Sequence, residues 1–358
     1  MTRRRPAPLV LAVVGAATVL AATATACSLR EGTAAGCEPA HIPDHDEQTL
    51  VVEGDPWSGY ALFRQDGFVD DPYDSIYVEQ LCQDLRAADL SSGRADIAVT
   101  SLDQYLLNKP DGTIVGVIDQ SLGADALVLN TIRYPYLKSV DNLRQLVSAL
   151  GRTGEKPVLA YTGNSPSEML LNELANTSDE LHLSDFELVS VDQSATALQM
   201  LDDGDAALAV VWEPDTSAAR SAGYTVALSS KDVPDSIVDV VVASDDLIAE
   251  DPAAVQAVVD AFYRDMDDYL AKPASLERFI AEDGGLEPSQ AEQLLAGITF
   301  YGSDAANAFM NDAVFPLDQP RIEQSLRSLA AVLALQHPEV SVDAAKIDGS
   351  YVQEAAGG

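Results

Sequence analysis

Two short apolar runs of the sequence end on side chains suited to recognition. In the segment DDGDAALAVVWEP the apolar run leads into Trp212 and Glu213, and SSGRADIAVTS ends on Ser101. Each run has the length and the branched side chains of a buried strand. An indole can stack on a flat or cationic molecule, a carboxylate suits an ammonium group, and a hydroxyl both donates and accepts hydrogen bonds. These residue types predict non-covalent binding of a small molecule.

Three other segments add similar groups. DPWSGY provides Trp57 and Ser58 beside a glycine, and DQSLGADA provides Ser121 after another apolar run. YTGNSP precedes a helix, whose unpaired amide groups and dipole can hold an anionic group. The ligand-binding residues predicted in this third segment are Thr162, Gly163, Asn164 and Ser165.

Structural roles stay open for several of these residues. Trp57 would alternatively pack under its loop, Trp212 would fix a hinge, and Glu213 would stand in solvent. Asp119 and Asp125 are favoured as turn formers that bond their own backbone. The helix start needs capping whether or not it binds an anion.

The charges near these segments favour one ligand class. Few basic residues lie within them, and Glu168 would compete for the positive end of its helix. A zwitterion or a cation, contacted by Glu213 and the aromatic side chains, therefore suits the composition better than a fully anionic ligand. Asp239 is a further, weaker candidate that would alternatively sit at a hinge.

Alternating apolar runs and amphipathic stretches after Thr49 predict an α/β protein with mainly parallel sheets. One βα series extends from Thr49 to Leu129 and a second from Val158 to Leu228, with a crossing segment around Pro135. The chain then returns to strand character, which predicts two lobes joined by two crossings and a ligand between them. The predicted boundaries are 49–134 for the first part of lobe 1, 135–234 for lobe 2, and 235–358 for the return to lobe 1 with C-terminal helices.

The N-terminus has the pattern of an export signal. Arg3, Arg4 and Arg5 precede an apolar run that is short for a membrane span and ends in small residues before Cys27. The residues ATAC resemble a bacterial lipobox, which implies lipidation of Cys27; secretion without a lipid is the alternative. The predicted segments are a lipoprotein signal peptide at 1–26 and a flexible tether at 27–48, which would place the protein outside the cytoplasm, anchored to the cell membrane by its N-terminal lipid.

The composition excludes some partners. The chain of 358 residues has 57 acidic and 21 basic residues, and the net charge is −36. Such a charge repels nucleic-acid phosphates, so we expect no nucleic acid as a partner. Four scattered histidines and the lack of a Cys-x-x-Cys motif give no sign of a metal site. Cys37 and Cys82 either form a disulfide or remain thiols, and the sequence leaves both open.

The order of five segments resembles a known family. VEGDPWSGYALF, SSGRADIAVTSLDQY, VIDQSLGADALVL, DDGDAALAVVWEP and DVPDSIVDVVVAS resemble successive parts of extracytoplasmic solute-binding proteins of ABC importers, in the nitrate/sulfonate/taurine group that also includes binders of thiamine precursors. The resemblance extends from about Thr49 to Ala271. It implies a type II periplasmic-binding-protein-like fold, with two α/β lobes that close on the ligand by hinge motion.

This resemblance also implies a function. The protein would be a monomeric receptor without catalysis or cofactor, delivering a small polar solute (a sulfonate, zwitterion, amine or vitamin precursor) to the transmembrane subunit of an ABC permease. Trp57, Ser58, Trp212 and Glu213 would lie at the cleft wall. One alternative is an enzyme that makes the thiamine pyrimidine, which would need reactive His and Cys residues in the cleft. The other is a ligand-sensing lipoprotein without a transport role.

Overall fold

The computed structural model describes residues 38–176, 181–233, 235–315, 317–334, 337–342 and 346–357. The predicted signal peptide, the predicted lipidation site Cys27, and Cys37 lie outside these residues. Cys82 is disulfide-bonded; Cys37, whose pairing with Cys82 the sequence left open, is not among the described residues. No helix in the described ranges is long and apolar enough to cross a membrane.

The strands form two main sheets and one short hairpin. In chain order they are β1 Thr49–Gly54, β2 Asp74–Glu79, β3 Ile97–Ser101, β4 Gly112–Ser121, β5 Ala126–Leu129, β6 Val158–Thr162, β7 Glu187–Val191, β8 Leu208–Val211, β9 Thr225–Ser229, β10 Val238–Ser244, β11 Ile298–Phe300, β12 Ala313–Val314 and β13 Gln319–Pro320. The first sheet has the order β11-β4-β10-β3-β1-β2, and the second has the order β7-β6-β8-β5-β9. The two sheets form the centres of the two lobes of an α/β fold.

Helices cover the sheets. They are α1 Gln83–Ser91, α2 Leu102–Asn108, α3 Leu143–Gly151, α4 Ser167–Asn176, α5 Ser194–Asp203, α6 Asp215–Ala222, α7 Asp245–Glu250, α8 Pro252–Leu270, α9 Pro273–Asp283, α10 Pro288–Leu295, α11 Ser303–Asn311, α12 Arg321–Leu333 and α13 Ser350–Gly357. Shorter 3-10 helices occur at Ser58–Arg64, Val140–Asn142, Leu183–Asp185 and Ser230–Asp232. The longest helix, α8, begins with Pro252 in its first turn, and the Asp251 carboxylate caps it by accepting from the Ala254 amide at 3.2 Å.

The prediction of mainly parallel sheets is wrong, because five of the nine described strand pairings in the two main sheets are antiparallel, one of them joining β11 to β4. Strand β10 lies antiparallel between β3 and β4, and β5 lies antiparallel between β8 and β9. These two strands are the first ones built after each crossing, so they enter a sheet from the opposite direction. All seven residues of β10 are buried, as expected for a central strand covered on both faces.

The first crossing lies earlier in the chain than the one predicted around Pro135. The chain leaves the first sheet at Ser121 and enters the second at Ala126, then leaves at Ser229 and returns at Val238. The run Ala126–Leu129, assigned above to the first βα series, therefore belongs to the second sheet. A run of four apolar residues carries no information about which sheet it joins, and only the pairing with β8 and β9 decides this.

Part of the predicted tether packs on the first lobe. Ala40 and Ile42 contact the buried cluster of Val51, Val78 and Ala95. The guanidinium of Arg94 also donates to the Ala40 carbonyl at 3.2 Å. Two isolated apolar residues in a polar segment show no periodicity from which this docking could be predicted.

Candidate functional site

A cavity of about 510 Å³ lies between the two lobes. Loops at the carboxyl ends of β1 and β2, the amino end of the antiparallel β10 and the end of α9 line it from the first lobe, and loops after β6, β7 and β8 line it from the second. The first-lobe side includes Asp55, Trp57, Ser58, Tyr60, Arg64, Gln83, Asp239 and Leu286, and the second-lobe side includes Thr162, Asn164, Ser165, Gln193, Ser194, Trp212, Glu213 and Asp215. A small molecule in this cavity would touch both lobes.

The loop after β1 presents the first indole. Trp57 is half-buried, packs against two apolar clusters of the first lobe, and lines the cavity. Its backbone is fixed by Arg64, whose guanidinium donates to the Asp55 and Trp57 carbonyls at 3.2 and 3.1 Å. The Tyr77 hydroxyl donates to the Asp55 carbonyl at 2.6 Å. The loop thus holds Trp57 at the cleft wall as part of a rigid support.

Arg86 joins the carboxyl ends of three strands beneath this loop. Its fully buried guanidinium donates to the Asp55 carboxylate at 3.1 Å, to the Gln80 carbonyl at 2.7 Å and to the Val99 carbonyl at 2.5 Å. A guanidinium has donors enough to satisfy all three acceptors at once. Arg86 therefore positions the base of the cavity on the first-lobe side. This role was not predicted from the sequence, because Arg86 lies on α1, outside the segments that were expected to form the site.

Buried acids lie in one row across the first sheet. Asp239 of β10 is the direct cross-strand partner of Asp119 on β4 and of Ser101 on β3. Directly opposite residues point to the same face, and like charges in such pairs repel. Asp119 is 0 % exposed, and neither of its oxygens accepts a hydrogen bond within the described part of the chain. Asp239 lines the cavity, so this row runs from the cleft into the first lobe.

Burial and mutual repulsion raise the pKa values of these acids. Desolvation, the largest cause, raises the pKa of Asp119 to about 7, and Asp125 and Asp55 add to the rise. The neighbouring indole N–H of Trp57 acts in the opposite direction. Desolvation and the facing Asp119 raise the pKa of Asp239 well above its usual range, while the Tyr60 hydroxyl opposes this. The Asp119–Asp239 pair therefore holds a proton near neutral pH.

A glycine allows the Trp57 loop to approach this pair. A Cβ atom on Gly59 would stand 1.9 Å from Asp119 Oδ2 and 2.5 Å from Trp57 Nε1. The carboxyl and the indole N–H therefore both lie against the Gly59 backbone. Like the Asp119 oxygens, Trp57 Nε1 is buried and has no hydrogen-bond partner among the described residues.

The helix start at Thr162–Ser165 is occupied by the protein's own groups. Glu168 Oε1 accepts from the Asn164 amide at 3.1 Å, and Ser165 Oγ accepts from the Ser167 amide at 3.2 Å. Ser165 also donates to the Thr162 carbonyl at 2.8 Å. An anion at this turn would meet the Glu168 carboxyl at the position where the helix dipole should attract it. Thr162 Oγ1 is buried without a partner in the described structure, and Thr162 lines the cavity.

Trp212 and Glu213 follow β8 and line the cavity from the second lobe. The Trp212 amide donates to Ser194 Oγ at 3.1 Å, which fixes the point where the strand ends. Both Glu213 carboxylate oxygens accept from Ser217, at 3.0 Å from its amide and 2.9 Å from its hydroxyl, and Arg220 stands 3.5 Å away. Glu213 is thereby held against the first turn of α6, while the half-buried indole of Trp212 stays at the cavity wall.

Hydrogen bonds tie the two crossings together beside the cavity. The Ser121 hydroxyl donates to Asp125 Oδ2 at 2.6 Å and lies 2.7 Å from the Ser230 hydroxyl. The Gly123 amide donates to the same Ser230 oxygen at 2.7 Å. Asp125 lines the cavity, and desolvation raises its pKa to about 7. The first crossing, at residues 121–126, thus connects the lobes and also places the carboxyl of Asp125 at the cleft.

The structure brings most of the predicted site residues to one cavity. Seven of them line it: Trp57, Ser58, Thr162, Asn164, Ser165, Trp212 and Glu213. Ser101 and Ser121 are buried behind the lining, and Gly163 lies beside it in the Thr162–Ser165 turn. The ligand-binding role of all ten stays a prediction. Sequence reasoning missed Tyr60 and Arg86, and it favoured turn-forming roles for Asp119 and Asp125.

Acidic side chains predominate in the lining. They are Asp55, Glu79, Asp125, Asp192, Glu213, Asp215, Asp239 and Asp283. Arg64 is the one basic residue among the described lining residues, and its guanidinium is bound to the Asp283 carboxylate at 2.5 and 3.1 Å. In the described ranges no group of His, Cys, Asp or Glu side chains has an arrangement that could hold a metal ion.

Comparisons with known proteins identify the family and the fold of this chain. The family model described as NMT1/THI5 like matches residues 84–275, which is more than half of the chain. No curated protein sequence matches it. Among solved structures, the alkanesulfonate-binding protein SsuA of Xanthomonas axonopodis pv. citri, bound to MOPS, superposes with a TM-score of 0.64 at 15% identity, over 85% of this chain and 100% of that one.

Two other solved structures give similar values. The nitrate-binding protein NrtA of Synechocystis PCC 6803 has a TM-score of 0.65 at 13% identity, over 89% of this chain and 90% of that one. The zinc-bound ligand-binding component of an ABC-type import system from Staphylococcus aureus has a TM-score of 0.64 at 16% identity, over 86% and 99%. Identities this low show a shared fold, the type II fold of periplasmic binding proteins, and leave the ligand to be argued from the site.

Proposed function

Because this chain belongs to the NMT1/THI5-like family, we propose that it is an extracytoplasmic receptor that binds a small polar solute between its lobes and delivers it to an ABC import permease. The observation that carries the proposal is the cavity of about 510 Å³ lined by strand-end loops of both lobes. A cavity of this size fits a small metabolite. Closure of the lobes would then enclose the solute and create the surface that a permease recognises.

Recognition without chemistry suits the lining. Its described residues provide two indoles, hydroxyls, amides and carboxyls, but neither a His nor a Cys. The alternative enzyme, which would make the thiamine pyrimidine, requires reactive His and Cys residues at this place. The receptor is therefore the better-supported function, and the proposed mechanism consists of binding and lobe closure.

The location and the partners belong to the same proposal. The arginine-rich start, the apolar run and Cys27 support export and a lipid anchor. We propose a monomer whose partner is the transmembrane subunit of a permease. A sensing lipoprotein would share the cavity and the anchor but would not stimulate transport. Uptake assays with the permease reconstituted in vesicles would separate the two, because only a transport receptor increases solute entry.

A thermal-shift screen of the full-length chain tests the binding step. Sulfonates, amino acids, amines and vitamin precursors would each be added in turn. A solute at a hundredfold excess over its dissociation constant stabilises the folded state by about 2.7 kcal/mol. For each solute that binds, small-angle X-ray scattering should show a smaller radius of gyration. Solute binding without any compaction would contradict the closure mechanism.

A further inference from the structure

We propose that the solute is an organic cation, a protonated amine or a quaternary ammonium compound, whose charge is bound by Asp239 and Asp125 while the indoles of Trp57 and Trp212 cover its apolar part. This inference rests on the proposed receptor function and narrows the solute to one chemical class. It departs from the anions named for the similar solved structures, the alkanesulfonate-binding and nitrate-binding proteins.

The balance of charge around the cavity favours a cation. Eight carboxyl side chains line it, and Arg64, the basic residue in the described lining, already binds Asp283. The nearby Arg86 is bonded to Asp55, and Arg220 stands beside Glu213. An anionic solute would therefore find no free guanidinium in the described lining to receive it, whereas a cation would meet carboxyls, such as that of Asp239, that have no basic partner among the described residues.

The acids at the floor lack a positive partner. Asp239 lines the cavity with Asp119 directly opposite it on β4, and both are buried. The Trp57 indole N–H and the Asp239 carboxyl stand beside the Asp119 oxygens, but neither acid forms an ion pair with a basic side chain among the described residues, although buried charged groups are normally paired. An ammonium group beside Asp239 would supply the missing charge and hydrogen-bond donors.

A second and separate observation points to a ligand at the same place. Thr162 is 7 % exposed and lines the cavity from the opposite lobe, and its Oγ1 has no hydrogen-bond partner in the described ranges. A buried hydroxyl of this kind is usually satisfied. A solute between the lobes would give Thr162 Oγ1 a donor or an acceptor while Asp239 binds the charge.

The aromatic groups suit the same ligand. Trp57 belongs to the first lobe and Trp212 to the second, and both are half-buried at the cavity wall. The negative face of an indole attracts a cation, and Trp is the strongest side chain in this role. Closure would bring one indole from each side onto the solute. An anion would meet the same faces with repulsion.

The anion site that the helix start could offer is already filled. Glu168 accepts from the Asn164 amide, and Ser165 Oγ accepts from the Ser167 amide. Pro166 has no amide proton to donate. The second lobe thus uses its own carboxyl where an anion-binding protein would leave amides open.

Isothermal titration of the full-length chain with matched probes tests the inference. Choline and isethionate share a hydroxyethyl group and carry opposite charges, and benzylamine and benzenesulfonate form a second pair. We expect at least one cation to bind about tenfold or more tightly than its anionic match. Anions that bind as tightly as cations, or cations that fail to bind at all, would overturn the inference.

Two variants locate the charge contact. Asp239→Asn should weaken cation binding by about 10- to 100-fold, because a charged hydrogen bond is replaced by a neutral one. Asp304→Asn is the matched control, since Asp304 is exposed and lies outside the cavity lining, and its loss should change the affinity by less than about threefold. Equal cation affinity of wild type and Asp239→Asn would refute the assignment.

The outcome also separates this inference from the receptor function. If an anion binds and compacts the protein in scattering experiments, the receptor function stands and the cation assignment fails. If a cation binds at the Trp57–Trp212 cavity without compaction, the ligand class stands and the closure mechanism fails. Thermal unfolding of Asp239→Asn verifies that a loss of binding does not come from a loss of fold.

Discussion

Replacing Asp119 by Asn should stabilise the ligand-free protein, and the gain should grow with pH. Asp119 is fully buried opposite Asp239, and burial raises its pKa to about 7 from an ordinary 3.8. The unfolded chain releases this proton near the ordinary value, whereas the folded chain keeps it up to about 7. The folded state therefore binds more protons between these values, and its stability falls as pH rises through this range.

The size of the effect follows from the two pKa values. At 1.36 kcal/mol for each pH unit, the difference between 3.8 and about 7 amounts to about 4 kcal/mol lost once Asp119 is ionised. Between pH of about 5 and about 8, the range accessible to an equilibrium experiment, the loss is about 3 kcal/mol. An asparagine does not ionise, so Asp119→Asn should avoid this loss. It should also lower the pKa of Asp239, which the Asp119 charge helps to raise.

Urea unfolding at the two ends of this pH range measures the gain. The free energy of unfolding of Asp119→Asn should exceed that of wild type by about 3 kcal/mol more at the higher pH than at the lower one. Asp192→Asn, which removes an exposed carboxylate, should show a nearly constant difference. A gain that does not grow with pH would refute the argument that the buried pair is held together by a proton.

Four other results are expected. Trp212→Ala should remove the ligand-induced thermal shift while circular dichroism remains native, since the variant lacks the second-lobe indole. Gly59→Ala should lower the free energy of unfolding by about 1–3 kcal/mol in urea titrations, because its Cβ would overlap Asp119 and Trp57. Arg86→Met should lower it by about 3 kcal/mol, since a buried acid and two carbonyls lose their donors. Calorimetry in buffers of different ionisation enthalpy should show proton release when a cation binds near pH 7, with affinity rising as pH rises through about 7, because burial raises the pKa of the cavity-lining Asp125 to about 7.

Controls make these four results decisive. Normal ligand binding by folded Trp212→Ala would show that the indole lies outside the site. Gly67→Ala is the control for the steric overlap in Gly59→Ala, because a Cβ atom on Gly67 would meet nothing within 4 Å. The φ of Gly67 is +67°, so this variant adds backbone strain of its own. Wild-type stability in Arg86→Met would contradict its structural role. Cation binding without proton release would mean that Asp125 stays protonated in the complex.

Much of the fold could be read from local patterns. The runs at Ala126–Leu129 and around Val240 are apolar enough to predict strands, and Asp251 with Pro252 marks the start of α8. The direction of β5 and β10 could not be predicted, because strand direction depends on the path of the chain between lobes. The pattern of a strand is the same in either direction.

The candidate site could be predicted only where its residues follow strands. Trp212 stands directly after an apolar run and Trp57 in the loop that follows one, and both line the cavity. Arg86 acts from a helix, and its role depends on three carbonyl and carboxyl acceptors that meet only in the folded chain. Asp119 and Asp239 did carry a signal, since each is an acid inside a buried strand. Their direct pairing depends on the register between β4 and β10, which no local pattern specifies.

A crystal structure of the full-length chain with its highest-affinity solute tests the binding site most directly. We expect the solute between the lobes, in contact with Trp57 of one lobe and Trp212 of the other, with its charged group beside Asp239. A solute bound to one lobe alone, or at any other surface, would contradict both the site and the mechanism of closure.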